Sequence, residues 1–233
     1  MIAFPYQSCC EGIEMNTLVV ENLAILLCAS IGFFSGFRYL KNRKTLYASM
    51  IVLGVGCILL GRLFQCVRLL TGGSITDTFQ VGILGTMGAF SFFFSSNYGQ
   101  FDSLVDNGSR TFLKYRLISL IAPACVAAMY AQVVFSPAKT PFKIGCGLAC
   151  VVIAAACYFH LKHLLIPDAE YGIVRCLRQY NATALCLAVL SVLELVAMAH
   201  GIEWLLIASG IGLGAVSLLL IPTMDRGVKA WRT

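Results

Sequence analysis

A chain of 233 residues is long enough for one domain, and 59% of it is hydrophobic while only 12% is charged, which makes lipid rather than water the expected solvent. The formal charge of +6 comes without a basic run interleaved with aromatics on a polar face, so nucleic acid is excluded as a partner. Most of the eleven cysteines fall inside apolar stretches, where they read as small fillers rather than a disulfide framework; only Cys9 or Cys10 with Cys66 is a candidate for an outer disulfide.

Residues 1–16 hold no Lys or Arg and so lack the positive region of a cleavable signal peptide, which predicts that the first helix is a retained signal anchor. That helix runs from about Leu18 to Tyr39, carries Gly32 and Gly36 at GxxxG spacing, and is flanked by Arg38, Lys41, Arg43 and Lys44. The second, Leu46 to Leu70, is apolar enough to cross a bilayer yet contains Arg62. After the turn Thr71-Gly72-Gly73-Ser74 a third begins near Phe79 and ends at Ser96, with Gly82, Gly85 and Gly88 at three-residue intervals that admit a neighbouring backbone. A polar connection from Asn97 follows, holding Asp102, Asp106 and the turn signal Asn107-Gly108. The fourth helix spans about Phe112 to Phe135 and the fifth about Phe142 to Ile166, stopping at Pro167. A second polar connection leads to a sixth, Ala182 to Ala199, and the tight turn His200-Gly201 to a seventh, Trp204 to Ile221, which Pro222 and Asp225 are expected to end.

Each segment matches the roughly 20 residues needed to cross a 30 Å hydrocarbon core. The expectation is an all-α membrane protein: residues 1–17 a short extracytoplasmic segment, 18–224 one bundle of seven transmembrane helices, 225–233 a short cytoplasmic tail. Thirteen of the 17 Lys and Arg then lie on one side, which by the positive-inside rule places the N-terminus outside, the C-terminus in the cytoplasm and the chain in the plasma membrane. The Asn-x-Ser/Thr sequons at Asn107 and Asn181 fall on the cytoplasmic side and are expected to stay unglycosylated.

An arginine inside a membrane helix costs about 2.5–3.5 kcal/mol on the insertion scale and calls for a partner, water or a carboxylate. Arg62 lies about 6 Å to the outer side of its helix centre, and Glu194 in the sixth helix lies at the same height. Gln65 and Arg68 continue the stripe of Arg62, while Glu21 beside Asn22, Gln80, Tyr130 and Glu203 add polar groups toward the outer end. Together Arg62, Glu194, Gln65, Arg68, Glu21, Gln80, Tyr130 and Glu203 describe an outward-opening chamber for a small polar or charged ligand. The competing reading makes Arg62 and Glu194 an ion pair that only fixes helix packing.

GAFSFFF from Gly88 and GAVSLLL from Gly214 share a pattern, and the first and fifth helices both end in aromatic and basic residues, GFRYLK and YFHLKH. This suggests a parallel 3+1+3 repeat with the fourth helix as linker, the layout of SWEET-type transporters, although the Pro-Gln signature is absent and membership in that family is not inferred. The leading expectation is therefore a transporter. One alternative is a seven-helix receptor signalling through a separate cytoplasmic partner protein, since the nine residues after Met224 offer no effector domain. Another is a metal-dependent hydrolase using His160, His163, Asp168 and Glu170 with Asp102 or Asp106, although helix-end histidines and loop carboxylates are ordinarily solvated counter-charges. No cofactor is expected: no P-loop, GxSxG or HExxH pattern occurs, and no lysine sits at the middle of the seventh helix to hold retinal. Gly32 with Gly36, or Gly210 with Gly214, provide small-residue faces on which a homo-oligomer could pack.

Overall fold

The computed structural model describes residues 15–42, 46–71, 81–102, 106, 108–167 and 173–232. Among those residues the regular structure is helical, with no strand: α1 (Met15–Asn42), α2 (Leu46–Leu70), α3 (Val81–Asn97), α4 (Leu113–Ser119), α5 (Ile121–Phe135), α6 (Thr140–Leu165), α7 (Ile173–His200) and α8 (Glu203–Arg232). With α4 and α5 counted as one rod, there are seven, and six of them are 25 to 28 residues long and apolar enough to cross a membrane. The 17 residues of α3 lie at the lower limit of a spanning length, about 17. The chain is an all-helical, multi-pass membrane protein.

The helices close into a ring in the order α1, α2, α3, α6, α7, α8 and back to α1, with α4 and α5 packed outside it against α6 and α7. In this ring α2 and α7 stand opposite each other. What allows the close neighbours is glycine. A Cβ on Gly85 would stand 2.7 Å from the Gly61 Cα and 2.8 Å from the Cys57 carbonyl oxygen, so α2 and α3 touch backbone to backbone there. Gly88 seats the Cys57 side chain and Gly82 seats Gln65, so all three glycines of α3 face α2. Gly32 meets the Ser217 carbonyl, Gly36 the Val52 side chain, Gly210 the Glu21 side chain and Gly214 the Cys28 sulfur. The small-residue faces considered for a homo-oligomer are therefore buried within one chain.

Three boundaries differ from the sequence reading. The fourth rod is broken at Leu120 because Pro123 has no N–H to give the Ser119 carbonyl and its ring crowds that oxygen. The seventh rod runs through Pro222 to Arg232, taking in residues expected as a tail; Leu220, Ile221, Met224 and Val228 stay buried against the bundle, which outweighs the lost helical bond. The sixth rod starts at Ile173 rather than Ala182, since Leu177 and Tyr180 face inward while Arg178 and Gln179 face out, a helical pattern within a stretch read as polar connection.

Two connections are closed by local chemistry. Gly201 adopts φ 69°, and the Ile202 N–H donates to the Ala197 carbonyl at 2.9 Å, the bond that ends a helix on a left-handed glycine. At the end of α5, Lys143 donates to the carbonyls of Val134 at 2.9 Å and Ser136 at 2.7 Å, satisfying helix-end acceptors with a cation. Cys66 is a free thiol, and Cys9 and Cys10 lie outside the described residues.

Replacing Gly85 by leucine should lower the thermal midpoint of the detergent-solubilised protein by several degrees, since overpacking costs about 1–3 kcal/mol. Gly99, which faces open space, is the control: Gly99→Ala should leave the midpoint within about a degree in the same scan.

Candidate functional site

Two side chains cross the ring. The Arg62 Nη1 and Nη2 each donate to one oxygen of Glu194 at 2.5 Å, a fork that joins α2 to α7 in a layer where both residues are less than a tenth exposed. Nη1 also donates to the Asn22 Oδ1 at 3.1 Å and the Gln65 Oε1 at 3.3 Å, which draws α1 into the same cluster. Asn22 is held in turn by its amide donating to the Leu18 carbonyl at 2.9 Å. Gln65 reaches Arg62 because Gly82 of α3 leaves room for its amide. Glu21 is the fifth member, within electrostatic reach of both Arg62 and Glu194, yet neither of its buried oxygens has a hydrogen-bond partner among the described residues.

Of the eight residues expected around the outer site, the structure gathers Arg62, Glu194, Gln65 and Glu21. Glu203 stands at the rim, where its Oε1 accepts from the Thr17 hydroxyl at 2.9 Å and ties α8 to α1. Arg68 lies about 9 Å further along α2, half-buried and outside the cluster. Tyr130 points away: its hydroxyl donates to the Lys143 carbonyl at 3.2 Å between α5 and α6. Depth along a helix is readable from sequence, but the direction in which a side chain leaves a peripheral helix is not. Gln80 lies outside the described residues. Asn22, which sequence placed near the cluster without assigning it, accepts a hydrogen bond from Arg62 on behalf of α1.

Nearer the basic end, Tyr47 and Tyr180 also meet across the ring, edge to face at 5.7 Å. Beside them His160 Nδ1 lies 2.7 Å from the Asn97 Nδ2 and 2.9 Å from the Asn181 Oδ1, and the Asn97 amide donates to Asn181 at 3.0 Å. All three are fully buried, and the His160 Nε2 and Asn97 Oδ1 have no hydrogen-bond partner among the described residues. Asn181, read as a sequon in a connection, is thus a buried helical residue. An asparagine flanked by apolar helix residues is the signal that would have found it.

The basic end itself is closed by two carboxylate centres. Asp106 receives both the Arg116 Nε at 2.7 Å and an Arg116 terminal nitrogen, with Lys162 at 3.3 Å; Lys162 also pairs with Asp102, and the His163 Nε2 stands 3.3 Å from Asp102. The Arg116 bonds, helped by the Gly108 N–H and Lys162, draw the Asp106 carboxyl down to about 2. Burial works against the charged form of Asp102, but hydrogen bonds from His163 and Lys162 outweigh it and hold its carboxyl below the usual range. At the α8–α1 contact Asp225 pairs with Arg38 at 2.9 Å and Lys229 at 2.8 Å and accepts from the Tyr39 hydroxyl. Of the residues considered for a hydrolase centre, His160 meets Asn97 and Asn181 and His163 meets Asp102, and among the described residues no three His, Cys, Asp or Glu side chains form a metal-holding group. Asp168 and Glu170 lie outside the described residues.

No protein-family model, curated protein or solved structure matches this chain.

Removing one partner of the central pair should be far worse than removing both. Arg62→Ala strands Glu194 and should cost about 3–5 kcal/mol, read as loss of the folded peak in size-exclusion chromatography, whereas Arg62→Met with Glu194→Leu should restore folding to near the parent level. A second expectation concerns acid. Asp106 has a lower carboxyl pKa folded than unfolded, so its contribution is complete above about 4 and is lost as pH falls through about 2. The calorimetric midpoint should therefore drop between those values, and less so in Asp106→Asn.

Proposed function

We propose that the chain is a membrane transporter of a small polar or charged solute, built from two three-helix halves in a parallel 3+1+3 arrangement with the α4–α5 rod as linker, N-terminus outside and basic end in the cytoplasm. The observation that carries this reading is that the Arg62–Glu194 pair bridges α2 and α7, the middle helices of the two halves, across the centre of the ring. An ion pair on the axis costs desolvation and adds little to stability over an apolar pair, so its position asks for a use beyond packing.

Other relations support two equivalent halves. The ring order maps onto itself when α1, α2 and α3 are exchanged with α6, α7 and α8. The α3–α6 and α8–α1 contacts, which this exchange interchanges, each carry an aspartate at the basic end that gathers cations from the neighbouring helix, Asp102 with Lys162 and His163, Asp225 with Arg38. The axis is crossed twice, by the ion pair toward one end and by Tyr47 and Tyr180 toward the other. Two closures at different depths suit alternating access, in which one half rocks against the other and each closure opens in turn. Glycine contacts between α2 and α3, and between α1 and α8, supply smooth surfaces within the first half and across one contact between the halves.

The folded double variant Arg62→Met with Glu194→Leu tests the reading apart from stability. In proteoliposomes screened with a panel of small cations, anions and zwitterions, by electrical recording on supported membranes, the parent should give a solute-dependent current and the double variant should reduce it at least tenfold. An unchanged current in a folded double variant would return Arg62 and Glu194 to a purely structural role.

A further inference from the structure

The charge balance around Arg62 leaves one group over. Two carboxylates, Glu21 and Glu194, stand near one guanidinium, and of the two carboxylates it is Glu194 that accepts from its terminal nitrogens. Glu21 is 7% exposed, and among the described residues neither of its buried oxygens has a hydrogen-bond or ion-pair partner. A carboxyl so placed holds either a proton or a cation, because an isolated charge away from water is too costly. The charged groups facing it are Arg62 from α2 and Glu194 from α7; α8 presents Gly210 at that level, and Glu203 further out is bonded to Thr17.

Glu21 also borders a cleft. Its side chain lies against Gly210, where an added Cβ would stand 2.6 Å from Oε1, and it lines a cleft of about 410 Å³ between α1 and α8. Asn16 and Thr17 lie at one end of the cleft, and the remaining walls are apolar: Val20, Ala24, Ile207 and Ile211, with Gly210. That volume falls within the roughly 300–1,000 Å³ of small-molecule sites, and the pattern of apolar walls around one polar group is theirs too. Val20 and Ile211 are exposed, so the cleft opens on the face turned to lipid.

The geometry points to the α1–α8 cleft as the binding site of a small amphipathic cation, with an apolar body against Val20, Ile207 and Ile211 and a single positive head paired with Glu21. The exchange is balanced: the O–H bond of the Glu21 carboxyl breaks, the proton leaves to water, and the carboxylate pairs with the cation. The cleft's neutral state keeps the proton, so cation and proton compete for one group. This rests on the transporter reading only in making that cation the cargo; the site itself does not.

Benzyltrimethylammonium is a suitable probe because its charge is fixed at every pH, and neopentylbenzene has the same shape without charge. Titration calorimetry of the full chain in maltoside micelles should show one saturable site for the cation. Its affinity should rise up to tenfold per pH unit while Glu21 carries the proton, with one proton released per cation, read from the dependence of the heat on buffer. Glu21→Gln should weaken binding at least tenfold, Glu21→Asp should keep a weakened site, and Gly210→Leu, which fills the cleft, should abolish it. Neopentylbenzene should bind at least tenfold more weakly. The proposal is overturned if the parent binds no cation, if Glu21→Gln binds as the parent does, if the neutral probe matches the charged one, or if native mass spectrometry finds a lipid in the cleft that excludes the probe. Binding that needs Glu21 in a chain that transports nothing keeps the site and removes the transporter reading. Transport that needs Arg62 and Glu194, with binding indifferent to Glu21, does the reverse.

Discussion

A guanidinium held away from water fixes more of this bundle than any other group. Arg62 must find acceptors for its donors, and it finds them on three helices: Glu194 on α7, Asn22 on α1 and Gln65 on its own α2. The distance between α2 and α7 is thereby set by the reach of two extended side chains rather than by close helix packing. The small residues around the pair follow from this. Gly61, next to Arg62, lets α3 approach on one side, and Gly82 gives Gln65 space to turn toward the charge. A bulkier residue at either place would move the acceptors, and an arginine in hydrocarbon that loses them carries the cost of about 2.5–3.5 kcal/mol or more.

The basic end solves a different problem. Helices that emerge into headgroups and water need fastening without a deep apolar contact, and here carboxylates at α3–α6 and α8–α1 collect lysine, arginine and histidine from neighbouring elements. These pairs are partly wet and individually modest. Asp106 is the exception, with a side chain 5% exposed that gathers Arg116 and Lys162 together and so joins the outlying α4 to the ring. The lysine in α6 that bonds both aspartates, Lys162, is itself buried, which a sequence of helix-end cations would not suggest.

Much of this was legible from residue order because membrane helices obey a simple ruler. The lengths of the apolar stretches gave the number of rods, and 1.5 Å per residue put Arg62 and Glu194 at one height before any contact was known. The glycines of α3 were readable as a packing face for the same reason: three-residue spacing keeps them on one side. Azimuth was not readable. Tyr130 has a suitable depth and the wrong direction, and the choice between Asn22 and Arg68 as a companion to the pair depends on helix rotation. Polar residues misled where hydrogen bonds are internal: Asn97 and Asn181 look like loop residues but satisfy each other and His160 inside the bundle. Pro222 misled because a proline's local cost was smaller than the burial of Met224 and Val228 beyond it.

The charges of the two ends are not equivalent, and the difference bears on how such a bundle could work. At the basic end the aspartates are matched or outnumbered by cations: Asp102 and Asp106 meet Lys162 and Arg116, and Asp225 meets Arg38 and Lys229. In the central cluster the balance runs the other way, with Glu21 and Glu194 against Arg62 alone. Among the described residues, the carboxylates at the basic end are therefore neutralised by the fold, whereas the buried cluster leaves one carboxyl for which none of them provides a partner. A bundle meant only to hold together gains nothing from that surplus, because an apolar residue in place of Glu21 would pack against Gly210 without the burial cost of an acid. The surplus is useful only where the missing partner comes and goes.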